Sequence, residues 1–379
     1  MPSESSSDTD YAIVVGITRY PYLDPLQSPE NDARAFHTWL TTPADRGGAG
    51  IDPKSERVRL VLSSDFAGSY APGMEPPTVA QVEAELIRLD EIAEENRKAG
   101  RGLRVGRRLY LYFSGHGCAP KFEEAAILMA NATRRRVYHL TGMPCADWFY
   151  RAGYFSEVVL LMDCCRERYE KVVTYVPPWV DLTAPEVVDR SQRFYGLAAA
   201  WSQVARERVL PSGERRSVFT LALLAGLEGA AYDPTTMHAD PATGRQMARV
   251  TARSLKGFLY NHLRDFLPEA DRDSPEVSGQ PDIPHPRDPN ADMVFSTVPV
   301  PSYPVTVRLP PAAAGRTLRV VELKEDGTEV VLVERAVTGP EVVVDLPRNN
   351  YFAQVSGLGF GKGFPVRPLT AEGANVVSL

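Results

Sequence analysis

Two short motifs in this sequence place reactive side chains directly after an apolar run. The run LYLYF leads into SGHG, which contains His116, and the run EVVLLM leads into DCCR, which contains Cys164 and Cys165. A thiol with a pKa of about 8.5 attacks only as the thiolate, so a neighbouring imidazole can activate it as a nucleophile. The same imidazole can later protonate a leaving amine as a general acid. The two motifs therefore predict nucleophilic catalysis by a His–Cys pair.

The choice between the two adjacent thiols follows from strand geometry. Side chains alternate along a strand, so Asp163 and Cys165 would share one face while Cys164 would point to the other. This argument favours Cys165 as the nucleophile, and it weakens if the chain has left the strand by Cys164. Gly117 permits a close approach of the backbone. Its N–H and the N–H of Cys165 are therefore the predicted oxyanion donors.

Short apolar runs rich in β-branched residues predict a sheet that is buried on both faces. The four clearest runs lie at 11–17, 57–62, 109–113 and 157–162. Helical patterns between them start at Ser28 and at Thr78, and Thr78 and Gln81 provide a capping box for the second helix. This alternation predicts a mostly parallel sheet flanked by helices, with sites at the carboxyl ends of the strands. His116 and Cys165 would share one edge and would converge if their strands are neighbours.

The second half of the chain predicts further elements and a second domain. A strand is expected at 194–201, helices at 217–227 and 251–267, and a last core strand at 292–297. Proline-rich sequence around that strand indicates a connector. From Val305 the pattern changes to alternating strands, with a hairpin at Asp326 and Gly327 and a turn at Gly339 and Pro340. The predicted organisation is a flexible N-terminus at 1–10, an α/β domain at 11–298, a linker at 299–304 and a small all-β sandwich domain at 305–379.

In their order along the chain, these motifs resemble the caspase and metacaspase family of cysteine peptidases. In that family the first motif ends in His-Gly, and the nucleophile lies two positions after an acidic residue or a glutamine. The stretch LQSPENDARAF is similar to the Asn-Asp-Ala segment of metacaspase-like sequences, and SVFTLALL resembles the helix after the small-subunit strand. The resemblance covers residues 10–297. It implies a caspase-like fold and a cysteine endopeptidase with His116 and Cys165 as its catalytic dyad.

The same resemblance implies a preference for basic substrates. Caspases that cut after aspartate have glutamine at the position of Asp163, whereas metacaspases and other Arg- or Lys-specific relatives have aspartate there. An unpaired carboxylate beside the nucleophile would attract a basic P1 side chain, and arginine can meet it with two parallel hydrogen bonds. Asp163 is therefore the predicted S1 acid, and the resemblance implies Asp32 as the second. We expect cleavage after Arg or Lys.

Family members are often processed in the loop after the nucleophile. Basic residues suited to self-cleavage there are Arg166, Arg168, Lys171, Arg190 and Arg193, and a second basic loop, ARERVLPSGERRS, precedes the 217–227 helix. The C-terminal β domain has no recognisable catalytic set, so we expect it to bind a substrate, an activator or another copy of the chain. If the enzyme serves a signalling or defence pathway, the C-terminal β domain would receive the regulatory signal. The alternative is a catalytically inactive caspase-like scaffold, against which the intact His116 and Cys165 argue.

Composition excludes several other classes of protein. The net charge of −6 is spread over mixed acidic and basic residues, without the basic surface that nucleic acid requires. No stretch suits a membrane span and the N-terminus lacks a signal-peptide pattern, so a cytoplasmic protein is expected. Four cysteines without paired spacing suit neither a disulfide framework nor a zinc site, and no calcium-binding loop is visible. We therefore predict neither a metal nor a cofactor.

Overall fold

The computed structural model describes residues 9–122, 124–167, 174–175, 179–180, 191–283, 293–324, 327–359, 361–367 and 375–379. Its α-helices are α1 Pro29–Thr41, α2 Val79–Lys98, α3 Gly142–Ala152, α4 Val218–Ala225, which continues into a π-helical turn Gly226–Ala230, and α5 Ala252–His262. The strands of the first part are β1 Tyr11–Gly16, β2 Val58–Leu62, β3 Gly106–Ser114, β4 Gly117–Cys118, β5 Ala126–Leu128, β6 His139–Thr141, β7 Phe155–Asp163, β8 Gln192–Leu197, β9 Glu207–Val209, β10 Arg215–Ser217, β11 Asp233–Ala239, β12 Gln246–Thr251 and β13 Val294–Pro299. The strands of the last part are β14 Ser302–Arg308, β15 Thr317–Leu323, β16 Glu329–Ala336, β17 Glu341–Pro347, β18 Asn350–Val355, β19 Gly361–Pro365 and β20 Asn375–Ser378.

A five-stranded parallel sheet in the order β2-β1-β3-β7-β8 forms the centre of the first part. Its two faces belong to separate cores, which explains why its strands are continuously apolar. Ala12 and Val14 of β1 pack with Phe36 of α1 on one face, whereas Ile13 and Val15 pack on the other face among residues of α2 and α3. The predicted parallel sheet flanked by helices is confirmed.

The predicted last core strand forms part of a second, smaller sheet. A core strand was expected at 292–297, and β13 is found there with Met293 and Phe295 buried in the core; it lies in a three-stranded sheet with β11 and β12. The sequence analysis did not predict β11 or β12. β11 is mostly exposed and β12 mixes exposed with buried positions, which gives a weaker signal than the apolar runs of the central sheet.

The C-terminal part is an all-β sandwich. One sheet has the order β17-β14-β20 and the other has the order β16-β15-β18-β19. Val305 and Val307 of the first sheet share a core with Leu318 and Val320 of the second, because every other residue of each strand points inward. The predicted hairpin joins β15 to β16, and its Gly327 has the positive φ of 82° that such a turn needs. Asp326 lies outside the described residues.

Two predicted boundaries differ from the structure. The predicted linker at 299–304 includes residues 302–304, yet β14 begins at Ser302 and pairs with β17 from there. The flexible N-terminus was expected to reach residue 10, but Asp10 is buried and accepts hydrogen bonds from Nε and Nη2 of Arg107 at 2.9 and 2.5 Å. A buried carboxylate with a paired guanidinium fixes the chain before β1 begins.

The chain divides into two compact units. One unit runs to Thr236 and continues from Ala248 to Val298, and the other combines Met237–Met247 with Pro299–Leu379. Among the described helices, none has the length and apolar character that crossing a lipid bilayer would require.

Candidate active site

The strands that precede the two reactive motifs are direct neighbours. β3 and β7 run parallel, and their register pairs Ser114 with Asp163 at the carboxyl edge of the sheet. The N–H of Gly115 donates to the carbonyl of Asp163 at 3.3 Å, which holds the two strand ends together. His116 and Cys165 each follow two residues after this registered pair. The condition that the sequence analysis set for their convergence, adjacent strands, is therefore met.

Gly117 packs directly against the loop that carries the two thiols. A Cβ atom at Gly117 would lie 2.5 Å from the carbonyl oxygen of Cys165 and 2.6 Å from Sγ of Cys164, so no larger residue fits. The loops stay together beyond this point, because the N–H of Ala119 donates to the carbonyl of Glu167 at 2.9 Å. Within the described ranges the N–H of Cys165 donates no hydrogen bond. A substrate oxygen could therefore accept from it.

The imidazole of His116 is oriented by a backbone carbonyl. Its Nε2 lies 2.7 Å from the carbonyl oxygen of Asp24. A carbonyl only accepts, so Nε2 carries the proton and Nδ1 is the basic nitrogen of the neutral ring. Tyr20 adds an edge-to-face ring contact at 4.7 Å, and its hydroxyl accepts from the N–H of His116 at 3.0 Å and donates to the carbonyl of Leu128. The ring is fixed from two sides.

Sequence reasoning missed Tyr20 and Asp24. Both lie between β1 and α1, at the carboxyl end of the strand next to β3. The rule that sites in open parallel sheets form at these strand ends was the signal that could have found them.

Burial distinguishes the two adjacent thiols. The structure ends β7 at Asp163, so the alternation argument does not extend to the cysteines. Cys164 is buried in the core, whereas Cys165 is only partly buried, with its Sγ 3.9 Å from the carbonyl oxygen of Ala205. Burial raises the pKa of the Cys165 thiol to about 11. The accessible position of Cys165 supports its predicted role, and the raised pKa means that the thiol needs a base to react at neutral pH.

Asp163 and Asp32, the two predicted S1 acids, are joined by one residue. Ser217 donates its hydroxyl to Asp163 at 2.7 Å and its backbone N–H to Asp32 at 2.9 Å. Thr220 donates its hydroxyl to the second oxygen of Asp163 at 2.5 Å. Burial raises the pKa of both carboxyls, and the neighbouring Asp163 raises the pKa of Asp32 further. The two acids therefore form one buried cluster at the end of β7 and the start of α4.

Arg216 already binds one of these acids. Its Nε donates to Asp32 at 2.7 Å, and its Nη1 lies 3.6 Å from a carboxylate oxygen of Glu214. The sequence analysis expected an unpaired acidic group beside Cys165, which is Asp163; among the described residues no Lys or Arg forms an ion pair with it, and its role as a receiver of a substrate cation stays a prediction. Both oxygens of Asp32 and both oxygens of Asp163 accept hydrogen bonds, which is how buried carboxyls are usually accommodated.

Arg166, which directly follows Cys165, bonds several segments at this edge of the sheet. Its side chain is fully buried and bonds Asp282 at 2.6 Å and three backbone carbonyls. The carbonyls belong to Phe122 at 2.5 Å, Glu124 at 3.2 Å and Ala199 at 3.2 Å. The guanidinium thus holds the segments around Cys165 together.

The predicted self-cleavage residues fall into three groups. Arg166 is fully buried, and Arg193, whose side chain is 29% exposed, lies inside β8 with Asp147 as its partner, so self-cleavage at either residue would require local opening and stays a prediction. Arg168, Lys171 and Arg190 lie outside the described residues. The second basic loop forms a hairpin of β9 and β10, and its tip at 210–214 is mostly exposed.

In the parts of the chain that the structure describes, no three or more His, Cys, Asp or Glu side chains come together as metal ligands would. The absence of a metal or cofactor remains a prediction.

Comparison with known proteins identifies the family. The caspase domain model of the cysteine peptidases matches residues 9–250, which is well over half of the chain. This chain therefore belongs to the caspase-domain family, and its parallel sheet with flanking helices is the caspase fold. It is also similar to the solved structure of pro-sf-caspase-1, with 11% identity and a TM-score of 0.37 over 74% of this chain and 93% of that one. A search of curated proteins gave no significant match.

Proposed function

We propose that this protein is a cysteine endopeptidase that cleaves protein chains after Arg or Lys, with His116 and Cys165 as its catalytic dyad. The observation that carries the proposal is the register of β3 and β7, which sets both residues at one sheet edge, with the Nδ1 of His116 as the free base. The family supplies the reaction class, a peptidase acting on protein substrates.

The reaction begins with activation of the thiol. Nδ1 of His116 takes the proton of Cys165, and the thiolate attacks the scissile carbonyl carbon. The N–H groups of Gly117 and Cys165 stabilise the oxyanion, an interaction worth about 3 kcal/mol for one donor. His116 then protonates the leaving amine, and water hydrolyses the thioester to release the acid and the free thiol. The carbonyl of Asp24 holds the ring through both proton transfers.

A basic P1 residue is supported by the cluster of Asp32 and Asp163. Two neighbouring buried carboxyls could supply the negative charge that a guanidinium or ammonium group needs on leaving water, because a cation bound to them favours their ionised forms, as Arg216 does at Asp32. Asp163 lies two positions before Cys165, where metacaspase-like sequences also have aspartate, and this resemblance favours the same specificity. Self-cleavage after a basic residue of the β9–β10 hairpin, and a partner for the C-terminal sandwich, belong to this proposal as its regulatory part.

A panel of fluorogenic peptides that differ only at P1 tests the proposal. Arg and Lys peptides are expected to be cleaved, and matched Asp and Ala peptides much more slowly. Labelling with a peptide chloromethylketone, followed by mass spectrometry, should place the adduct on Cys165. Faster cleavage after Asp than after Arg would contradict the specificity. Neither turnover nor labelling, with or without candidate activators, would favour the inactive scaffold instead.

A further inference from the structure

Arg216 has the chemistry and the position of an internal competitor for a basic substrate side chain. Its guanidinium lies on Asp32, which is one of the two acids proposed to receive a P1 Arg or Lys. The side chain of Arg216 is 11% exposed and that of Asp32 is fully buried, so the ion pair fills its site. A substrate guanidinium and that of Arg216 cannot both occupy it, since two cations would then share one small buried site.

The contact between Arg216 and Asp32 leaves the guanidinium incompletely bonded. An arginine usually meets a carboxylate through two parallel hydrogen bonds, but here the second oxygen of Asp32 accepts from the N–H of Ser217. Only Nε of Arg216 reaches Asp32, and within the described residues its Nη2 is buried without a hydrogen-bond partner. A buried donor without an acceptor weakens the closed arrangement.

A second, more exposed position beside a carboxylate is also available to the side chain of Arg216. It lies in the hairpin of β9 and β10, next to the exposed tip at 210–214. Glu214 at that tip is 43% exposed, and its carboxylate is already 3.6 Å from Nη1 of Arg216. Rotation toward Glu214 would move the cation to the surface and keep it paired. Replacing one guanidinium by another on Asp32 would leave the buried charge unchanged.

We propose that Arg216 is a specificity-determining residue that occupies the S1 site of the resting enzyme and must be displaced from Asp32 by a basic P1 side chain. This inference rests on the proposed function, because it concerns the same pocket. Binding of a basic P1 residue then replaces the cation of Arg216 on Asp32 and does not fill an empty site. The apparent affinity for Arg substrates is then reduced by the fraction of molecules in which Arg216 still lies on Asp32.

A binding experiment on inactive protein tests the inference without needing turnover. In a Cys165→Ala background, benzamidine serves as the probe of the basic pocket, and its affinity is measured by calorimetry. Arg216→Gln, which keeps a donor and removes the charge, is expected to bind benzamidine at least about tenfold more tightly. Adding Asp32→Asn should abolish the gain. Arg215→Gln removes the neighbouring, more exposed cation and should leave the affinity unchanged.

The outcomes separate this inference from the proposed function. Unchanged or weaker benzamidine binding by a folded Arg216→Gln protein would overturn the inference, whatever the peptidase assay shows. If Arg216→Gln does not fold, Arg216→Lys replaces it. That variant keeps the cation but loses the fork of donors, and should bind with intermediate affinity; no gain there would also overturn the inference. In the active enzyme Arg216→Gln should lower KM for Arg peptides more than KM for matched Ala peptides. Preferred cleavage after Asp that is lost in Arg216→Gln would instead assign Arg216 to binding an acidic P1 residue, and would overturn both proposals.

Discussion

The two halves of the candidate active site differ in how far their polar groups are already paired. At the reacting edge, His116 and Cys165 are partly buried, and each keeps one group, Nδ1 or the backbone N–H, that can act on a substrate. In the acid cluster, Asp32 and Asp163 are buried and every carboxylate oxygen has a partner. The groups proposed for catalysis are therefore available in the resting molecule, whereas a cation already lies on Asp32 of the proposed recognition site. Access to the pocket, rather than formation of the dyad, would therefore control activity.

The largest effect is expected from removing the proposed nucleophile. Cys165→Ala should lower kcat for an Arg peptide by at least about 10⁴-fold, because the variant loses the proposed nucleophile and the adjacent thiol of Cys164 is buried in the core. Cys164→Ala is the matched control: that thiol fills core, so the variant should lose stability but keep most of its activity. If Cys164→Ala were the inactive variant and Cys165→Ala the active one, the roles of the two thiols would be exchanged.

The pH dependence of alkylation tests whether Cys165 is a thiol or a thiolate in the resting enzyme. Because burial raises the pKa of Cys165 to about 11, the thiolate fraction of the resting enzyme grows as the pH rises. Its reaction with iodoacetamide should therefore accelerate by about a hundredfold between pH 7 and pH 9, tenfold for each pH unit. Peptide mapping assigns the modified residue, and Cys165→Ala provides the background. A rate that is constant over this range would instead indicate a preformed thiolate–imidazolium pair.

Replacing Arg166 tests how strongly the segments around the nucleophile depend on one guanidinium. Arg166→Met leaves three carbonyls and Asp282 without their donor, so the free energy of unfolding should fall by about 2 kcal/mol or more. Urea denaturation measures this change. Arg193→Met, which breaks the partly exposed pair with Asp147, should cost less than about 1 kcal/mol. Equal losses in the two variants would contradict the central position of Arg166.

The smallest effect is expected from replacing Tyr20, which contacts the ring and the backbone of His116. Tyr20→Phe keeps the ring contact with His116 but removes the hydroxyl that bonds its N–H and the carbonyl of Leu128. Loss of these bonds should lower kcat by about tenfold, with little change in KM. A large change in KM with constant kcat would instead place Tyr20 at the substrate.

Local sequence alone determined the parallel sheet of this protein and its candidate reactive residues. Runs such as LYLYF and EVVLLM specify buried parallel strands. Both faces of such a strand are apolar, and both are covered only in the middle layer of an α/β fold. His116 and Cys165 follow those runs directly, so predicting the strands also predicted the edge at which these residues would lie. The motif resemblance added the family, which the caspase domain match confirms.

Tertiary structure alone decided which partners each polar group has. Arg216 and Asp32 are separated by 184 positions in the chain, and the carbonyl of Asp24 bonds a ring 92 positions away. No periodicity or spacing encodes such contacts, because they depend on how β10, α1 and the strand ends pack against one another. Side-chain pairing inside a folded protein is set by distance and burial, and both exist only once the chain has closed around the site.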